Sequence, residues 1–505
     1  MLDVLTAEDV RRIDAACEAR GITTEFLMDN AGYAVAAAAR RMLGGTYGRR
    51  IVVVCGKGNN AGDGLVAGRV LESWGASVSA VMTLGMDLKG AALHALERYR
   101  GDRVSLDSIP RADLVIDAMF GVGLSRPPEG AASRAIALIS TWPTPVLAVD
   151  VPSGIDADTG QPVGNAVRAA ATVTLGGLKP GLMFEPGRSH AGRVEVADIG
   201  IPDDLRGSSA LALEHADVRS LLPLRQPSSH KRNVGTVLMV VGSRGLPGAA
   251  ALAAGASVHG GAGLTIVAAP ESVVPTIVAR IPEVTAIPLP ETGDGTIDPK
   301  GIELIRPRFK EFNIVAIGPG LSTHPGTAEL VRSLVAEVDL PMVLDADALT
   351  AFAGSADQMS GHSSPIVITP HTRELSRLTG TSVEDIEADR MRAARDASAR
   401  LGCVVLLKGP GTVIASPDGR AFVNPTGGSA LAQGGTGDVL TGLTAALLAQ
   451  ELASSGGGNP WVTTAVAAWV HGRAGDLLGR RFAPHPASAS MLIDTLPEVL
   501  HEVAG

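Results

Sequence analysis

Short apolar runs rich in Val, Ile and Leu alternate along this chain with Ala-rich stretches whose polar positions recur at helical spacing. That alternation is the βα rhythm of a parallel sheet, whose strands are covered on both faces and show no polar side. In the first half it predicts strands over 50–54, 78–84, 114–117, 146–149, 172–175 and 193–196. Helices are predicted over 7–43, with a break near Gly21, and over 65–74 and 91–99. The rhythm lapses between about 202 and 229, where DDLRGSSALALEH and PLRQPSS read as a linker. It restarts with strands over 236–241, 264–268, 314–317, 342–344, 366–368 and 404–407, and helices over 249–259, 374–378, 385–401, 437–452 and 463–478. A chain of 505 residues exceeds what one core usually serves. Two α/β domains are expected, over 1–210 and 229–505, joined by a connector over 211–228.

Composition narrows the function classes. The net charge of −9 argues against a nucleic-acid partner, which would need a basic face. It leaves room for a small anion held by backbone amides. The first residues, MLDVLTAEDVRRID, lack the apolar run of a secretory signal, and no stretch is apolar enough to suggest a membrane partner. Cys17, Cys55 and Cys403 form no CxxC pair and the histidines no HExxH pattern, so neither structural zinc nor disulfides are expected. This usage fits a reducing cytoplasm. Ala- and Gly-rich helix faces would permit a homo-oligomer.

Candidate chemistry begins where the strand IVVV runs into CGKGNNAGDG. A glycine turn opening a helix lets amides approach a phosphate at the helix's positive end. Gly56, Gly58 and Ala61 satisfy the GxGxxG/A fingerprint of a Rossmann-like, three-layer domain. The next strand ends in Thr83 and Gly85 with no ribose-binding acid, which disfavours an ordinary nicotinamide dehydrogenase. Asn60 or Asp63 could equally be a helix N-cap. Asp117 and Asp150 each end a strand, where open α/β sheets bind ligands. Lys179, in LGGLKPG, reads either as an anion-stabilising group or as a solvated loop lysine.

The segments CGKGNNAGDG, DAMFGVGL, DVPSGIDADTG, TVTLGGLKPGL and GRVEVADIGIP, over about 5–201, resemble the NAD(P)HX epimerase family. That family interconverts the R and S forms of NADH or NADPH hydrated at C6 of the nicotinamide ring. The resemblance implies a potassium ion on Asn60, Asp117 and Ser153. It implies a substrate site of Asn59, Asn60, Ala61, Gly62, Asp63, Gly121, Val122, Gly123, Leu124, Ser125, Arg126, Pro127 and Asp150. Ala61 stands where that family usually has Gly, and is expected to be tolerated. Asp117 is the candidate for acid/base work, although ligation to potassium would lower its basicity.

In the second half the strongest motif is AQGGTGDVLTGLTAALLAQ, residues 432–450. Gly434, Gly435 and Gly437 bring successive amides to a helix start, with Asp438 in the first turn. Such an anion hole beside a carboxylate suits phosphoryl transfer, although the acid alone could simply complement the helix dipole. No GxxxxGK[ST] P-loop is present. Lys408 follows a strand in VVLLKGPGTVIA, His371 opens a helix in VITPHTREL, and Asp345 and Asp347 in LDADAL could position magnesium or cap an element.

With HKRNVGTVLMVVGSRGLPGAA, GGAGLTIVAAP and VAIGPGLS, these segments resemble the ADP-dependent NAD(P)HX dehydratase family, on a ribokinase-like α/β scaffold, over about 220–500. The resemblance implies hydrate contacts from Ala249, Gly320, His371 and Asp438, with Asp438 as base. It places the nucleotide on Lys408, Gly409, Pro410, Gly411, Thr412 and Gly437. Ser322 and Gln433 depart from that family's pattern locally. A bifunctional cytoplasmic repair enzyme acting on NADHX and NADPHX with ADP, magnesium and potassium is expected. The rivals are a small-molecule kinase and, for the first domain, a non-catalytic interaction module.

Overall fold

The computed structural model describes residues 1–225, 227–455, 458–483 and 487–505. It divides into two compact units, Leu2–Leu211 and Ala212–Gly505.

In the first unit a parallel sheet is built from β1 (Arg50–Cys55), β2 (Ser77–Met82), β3 (Asp102–Val104), β4 (Leu114–Ala118), β5 (Val146–Val149), β6 (Ala171–Leu175) and β7 (Arg193–Ala197). Their order is β3-β2-β1-β4-β5-β6-β7, all parallel. The direction of winding reverses between β1 and β4, which opens a crevice at their carboxyl ends. Residues alternate between faces: Ile51 and Val53 pack under the helices α1 (Ala7–Ala19), α2 (Thr24–Leu43), α3 (Asn59–Ser73) and α4 (Gly90–Arg98), in a core with Ile13, Val35 and Leu65. Val52 and Val54 face α5 (Gly130–Thr141) through Ile136 and Ile139. The expected break in the first helix is real. Gly21 takes φ +80°, and Thr23 caps α2 through Phe26 N–H. β3 escaped prediction because it is a short, largely exposed edge reading DRV.

In the second unit the strands are β8 (Thr236–Val240), β9 (Leu264–Pro270), β10 (Thr285–Leu289), β11 (Ile314–Ile317), β12 (Met342–Leu344), β13 (Ile366–Ile368), β14 (Val404–Leu407), β15 (Val413–Ala415) and β16 (Ala421–Val423). They run β16-β15-β14-β13-β12-β11-β8-β9-β10, parallel except for the antiparallel hairpin steps β14–β15 and β15–β16. The helices that matter for the site are α6 (Pro247–His259), α7 (Thr372–Thr379), α8 (Arg390–Leu401), α9 (Thr436–Ser455) and α10 (Pro460–Phe482). α9 is apolar and buried over most of its length, as befits a core helix. It lies close on α6, where a side chain at Gly442 would collide with the Ala253 carbonyl. The stretch expected as a connector contains a helix, His215–Leu221, closed by a Glu214/Asp217 capping box. Local capping made it, with too few apolar residues to show a period. Gln226 of that stretch lies outside the described residues.

Candidate active sites

The first unit carries a cleft of about 620 Å³ over the carboxyl ends of β1, β4, β5 and β6. Its floor is polar and its roof, from α1, α2 and the 199–201 segment, is apolar through Ile13, Leu27 and Ile201. Gly56 lets the β1–α3 turn press against the next loop, since a Cβ there would meet the Met119 carbonyl. α3 then begins with Gly58 as N-cap and no side-chain capping bond, so neither Asn60 nor Asp63 caps it. Both line the cleft instead, with Asn59. Helical spacing explains the division: 59, 60 and 63 share one face, while 61 and 62 turn inward. Ala61 is fully buried without positive φ, and Gly62 packs on Met28. From the next loop Gly121, Val122, Gly123 and Arg126 line the cleft, whereas Leu124, Ser125 and Pro127 are not among its walls. Leu124 N–H closes a turn on Gly121 O, and Pro127 lies beside Gly164.

Asp117 lies behind the cleft wall rather than on it. It is fully buried at the end of β4. Ser153 Oγ donates to its Oδ1 at 2.6 Å, Ser153 N to its Oδ2 at 2.8 Å, and Met119 N to Oδ1 at 3.3 Å. Burial pushes its carboxyl up to about 6 against those hydrogen bonds. No ion pair from the described residues offsets its charge. Asp117, the candidate for acid/base work, is thus hydrogen-bonded at both oxygens and does not line the cleft.

The groups that do face the cleft are Asp63, Asp150 and Lys179, with Asp14 of α1 at the rim. Lys179 is 1% exposed, so it is no solvated loop lysine. Its Nζ lies 2.7 Å from Asp150 Oδ1 and donates to the carbonyls of Leu175 at 2.6 Å and Gly177 at 3.3 Å. Asp150 takes φ +67°, a rare conformation for a residue with a side chain. Asp63 is raised well above the ordinary carboxylate range by burial first, with Asp150 and Asp14 adding and Lys179 opposing. Asp14, which no motif marked, is also raised by burial.

In the second unit the glycine turn delivers α9 with Asp438 in its first turn. Gly435 adopts φ +91°, and Thr436 Oγ1 folds back onto Leu431 O at 3.0 Å and Gln433 O at 2.9 Å. Buried His471 of α10 holds the turn from behind through Nε2 and Thr436 O at 2.9 Å. Burial depresses this histidine to about 4, so it is neutral and Nε2–H donates. Lys408 crosses over α9, since a Cβ on Gly437 would stand 3.5 Å from its Nζ. Lys408 Nζ pairs with buried Asp345 at 2.7 Å and approaches Glu374 at 3.7 Å. Burial opposes its charge, but Asp345 and Glu374 keep its pKa raised. It is not an exposed strand-end lysine.

Asp438 is lifted to about 7, by burial first and then by Asp345, with Lys408 pulling the other way. Arg390 fixes the following loop by donating to Leu407 O at 3.3 Å and Lys408 O at 3.0 Å, while Thr412 Oγ1 bonds Gly409 O at 2.9 Å. Asp345 also accepts from Thr441 at 2.6 Å, and Asp347 accepts from Ser322 N at 2.8 Å. Both acids thus already have partners. His371 is the N-cap of α7, its Nδ1 accepting from Arg373 N at 3.1 Å and Glu374 N at 3.2 Å. Its Nε2 lies 3.6 Å from Glu374 Oε1 on a side chain that is half exposed. Ala249 and Gly320 adjoin one another, a Cβ on Gly320 falling 3.2 Å from that of Ala249.

A family profile described as NAD(P)H-hydrate dehydratase matches residues 237–498, and one described as YjeF-related protein N-terminus matches 24–181. The bifunctional NAD(P)H-hydrate repair enzyme Nnr of Moorella thermoacetica is 40% identical over 99% of this chain and 97% of its own. The chain belongs to the bifunctional NAD(P)H-hydrate repair enzyme family. A second repair enzyme of that name, from Thermofilum pendens, is 38% identical over 99% of this chain and 96% of its own. Among solved structures, a ribokinase-like superfamily protein from Enterococcus faecalis V583 aligns at a TM-score of 0.50 and 25% identity, over 60% of this chain and 99% of that one. The ribokinase-like scaffold of the second unit is thereby shown. Sequence reasoning about this repair enzyme passed over Asp14, Glu374, Arg390 and His471. Only Glu374 had a legible signal, three residues after His371 at a helix start.

Proposed function

We propose that the first unit epimerises the R and S hydrates of NADH and NADPH, and that the second dehydrates the S hydrate with ADP. The observation that carries the second assignment is Asp438 held near neutrality beside Lys408, over the glycine turn that opens α9. The amides of that turn, Lys408 and the loop 409–412 take the nucleotide phosphates. Asp438 accepts the C6 hydroxyl proton as that oxygen bonds the terminal phosphorus of ADP and AMP departs. Loss of phosphate from C6 and of a proton from C5, driven by the N1 lone pair, then restores the C5=C6 bond. Ala249, Gly320 and the Nε2 side of His371 form the hydrate's contacts. Among the described residues no cluster of three His, Cys, Asp or Glu side chains is arranged to hold a metal. Magnesium, when bound with the nucleotide beside Asp345 and Asp347, would offset phosphate charge.

In the first unit Asn60, Asp117 and Ser153 supply the all-oxygen set a hard cation requires. Asp117 is a fully buried carboxylate lacking a cationic partner among the described residues, and the side-chain oxygens of Asn60 and Ser153 are of the kind that completes such a donor set, so the residues fit potassium. Its positive charge would offset Asp117 and fix the wall of the cleft. Asn59, Asn60, Asp63, Gly121, Arg126 and Asp150 surround the hydrate. The three cysteines are free and buried, which supports a cytoplasmic setting. Among the described residues no helix is long and apolar enough to cross a membrane.

The test mixes purified protein with both epimers of NADPH hydrate and follows recovery of NADPH absorbance. Complete recovery that requires ADP is expected. A phosphorylated product that accumulates without NADPH would instead make the second unit a small-molecule kinase. Recovery that stops at the S fraction would remove the epimerase.

A further inference from the structure

Three features of the first cleft meet at one place. Asp63 is 6% exposed and lines the cleft, yet its carboxyl makes no hydrogen bond or ion pair with the described residues. Asp150 is held the opposite way. Its Oδ1 takes Lys179 at 2.7 Å, Leu175 N at 3.2 Å and Thr174 Oγ1 at 3.3 Å, while Oδ2 takes no hydrogen bond from the described residues. Gly121 leaves room there, since a Cβ at that position would stand 3.1 Å from Oδ2. Ile13, Leu27 and Ile201 add apolar side chains to the same lining.

We propose that Asp63 and Asp150 are the acid and base of epimerisation, Asp63 giving a proton to the departing C6 hydroxyl and Asp150 taking one from water arriving on the opposite face. This rests on the epimerase reading of the cleft. Burial first, and then the charges of Asp150 and Asp14, raise the unpartnered carboxyl well above the ordinary carboxylate range, which favours the proton-bearing form an acid needs. The ion-paired carboxylate keeps one oxygen open as an acceptor. In the forward step the C6–O bond breaks, the Asp63 proton leaves with the oxygen as water, and the N1 lone pair forms the N1=C6 iminium. A second water then bonds C6 from the other face and loses its proton to Asp150 Oδ2. Asp63 ends ionised and Asp150 protonated, which is the form that runs the reverse step. Exchange through solvent resets the pair. Lys179 is a positioning residue that holds Asp150 Oδ1 at 2.7 Å and leaves Oδ2 turned to the hydrate.

The experiment uses the full chain, without nucleotide, on the purified R hydrate of NADPH in oxygen-18 water, against an enzyme-free control. Every molecule epimerised by the enzyme is expected to carry one solvent oxygen at C6. Asp63→Asn and Asp150→Asn should each slow epimerisation by about 100-fold or more. Both should still dehydrate the S hydrate with ADP, which shows the second unit intact, and should keep the parent's urea-denaturation profile, which shows the first unit folded. Lys179→Met should lower kcat for epimerisation with KM for the hydrate little changed, and Lys179→Arg should restore part of the rate, which a merely structural lysine would not do. Retention of the original oxygen would mean ring opening and would overturn the proposal, as would an Asp63→Asn enzyme within about threefold of the parent rate. An unaltered chain that does not epimerise at all would overturn the epimerase reading and the proposal with it.

Discussion

Asp438 offers the sharpest quantitative test of the dehydratase site. Its carboxyl stands at about 7, raised by burial and by Asp345 and restrained by Lys408. A base works only when ionised, and kcat/KM follows the ionised fraction in the free enzyme. With a pKa of about 7, roughly a tenth of the molecules are competent at pH 6 and roughly nine-tenths at pH 8. The rate constant for ADP-dependent NADPH recovery should therefore rise about tenfold across that interval. Since ADP also titrates in this range, the diagnostic is how variants move the inflection. Asp345→Asn removes a neighbouring negative charge and should shift it to lower pH, while Lys408→Met removes the opposing cation and should shift it to higher pH. Stopped-time assays at constant ionic strength, with the pure S hydrate, give the three profiles. A flat profile, or an inflection that stays put in Asp345→Asn, would refute the assignment of Asp438 as base.

Other consequences follow from the geometry. Asp117 has a folded-state pKa of about 6 against an ordinary 3.8, so its contribution to stability is full below about pH 4 and is lost as pH rises through 6. That is a difference of about 3 kcal/mol in potassium-free buffer, to be read by comparing urea denaturation of the parent and Asp117→Asn across this window. Potassium at about 100 times its dissociation constant should add about 2.7 kcal/mol, and Asp117→Asn should lose that gain. Gly56→Ala drives a methyl group into the Met119 carbonyl and should cost about 1–3 kcal/mol of stability. Arg390→Met frees the loop after Lys408, so KM for ADP should rise about tenfold, equivalent to about 1.4 kcal/mol, with a smaller change in kcat.

The alternation of apolar strands and Ala-rich helices was enough to specify two α/β units, because parallel strands buried on both faces leave a continuous apolar signature. The helix break at Gly21, the glycine turns after β1 and before α9, and the acids ending β4, β5 and β12 were equally legible, since each depends on local backbone chemistry. Edge strands such as β3, and the hairpin β15–β16, left no such mark because short or edge strands need no long apolar run. What chain order could not decide was which groups share a cavity and which have partners. Asp117 and Asp63 look alike in sequence, one acid after a strand and one after a glycine turn. Only the tertiary structure commits Asp117 to Ser153 behind the wall and leaves Asp63 unbonded inside the cleft. Likewise Asp14 meets Lys179 and Asp150, and His471 meets the α9 turn, across long stretches of chain. Charge state and reactivity arise from burial and neighbours, and those exist only once the chain has folded.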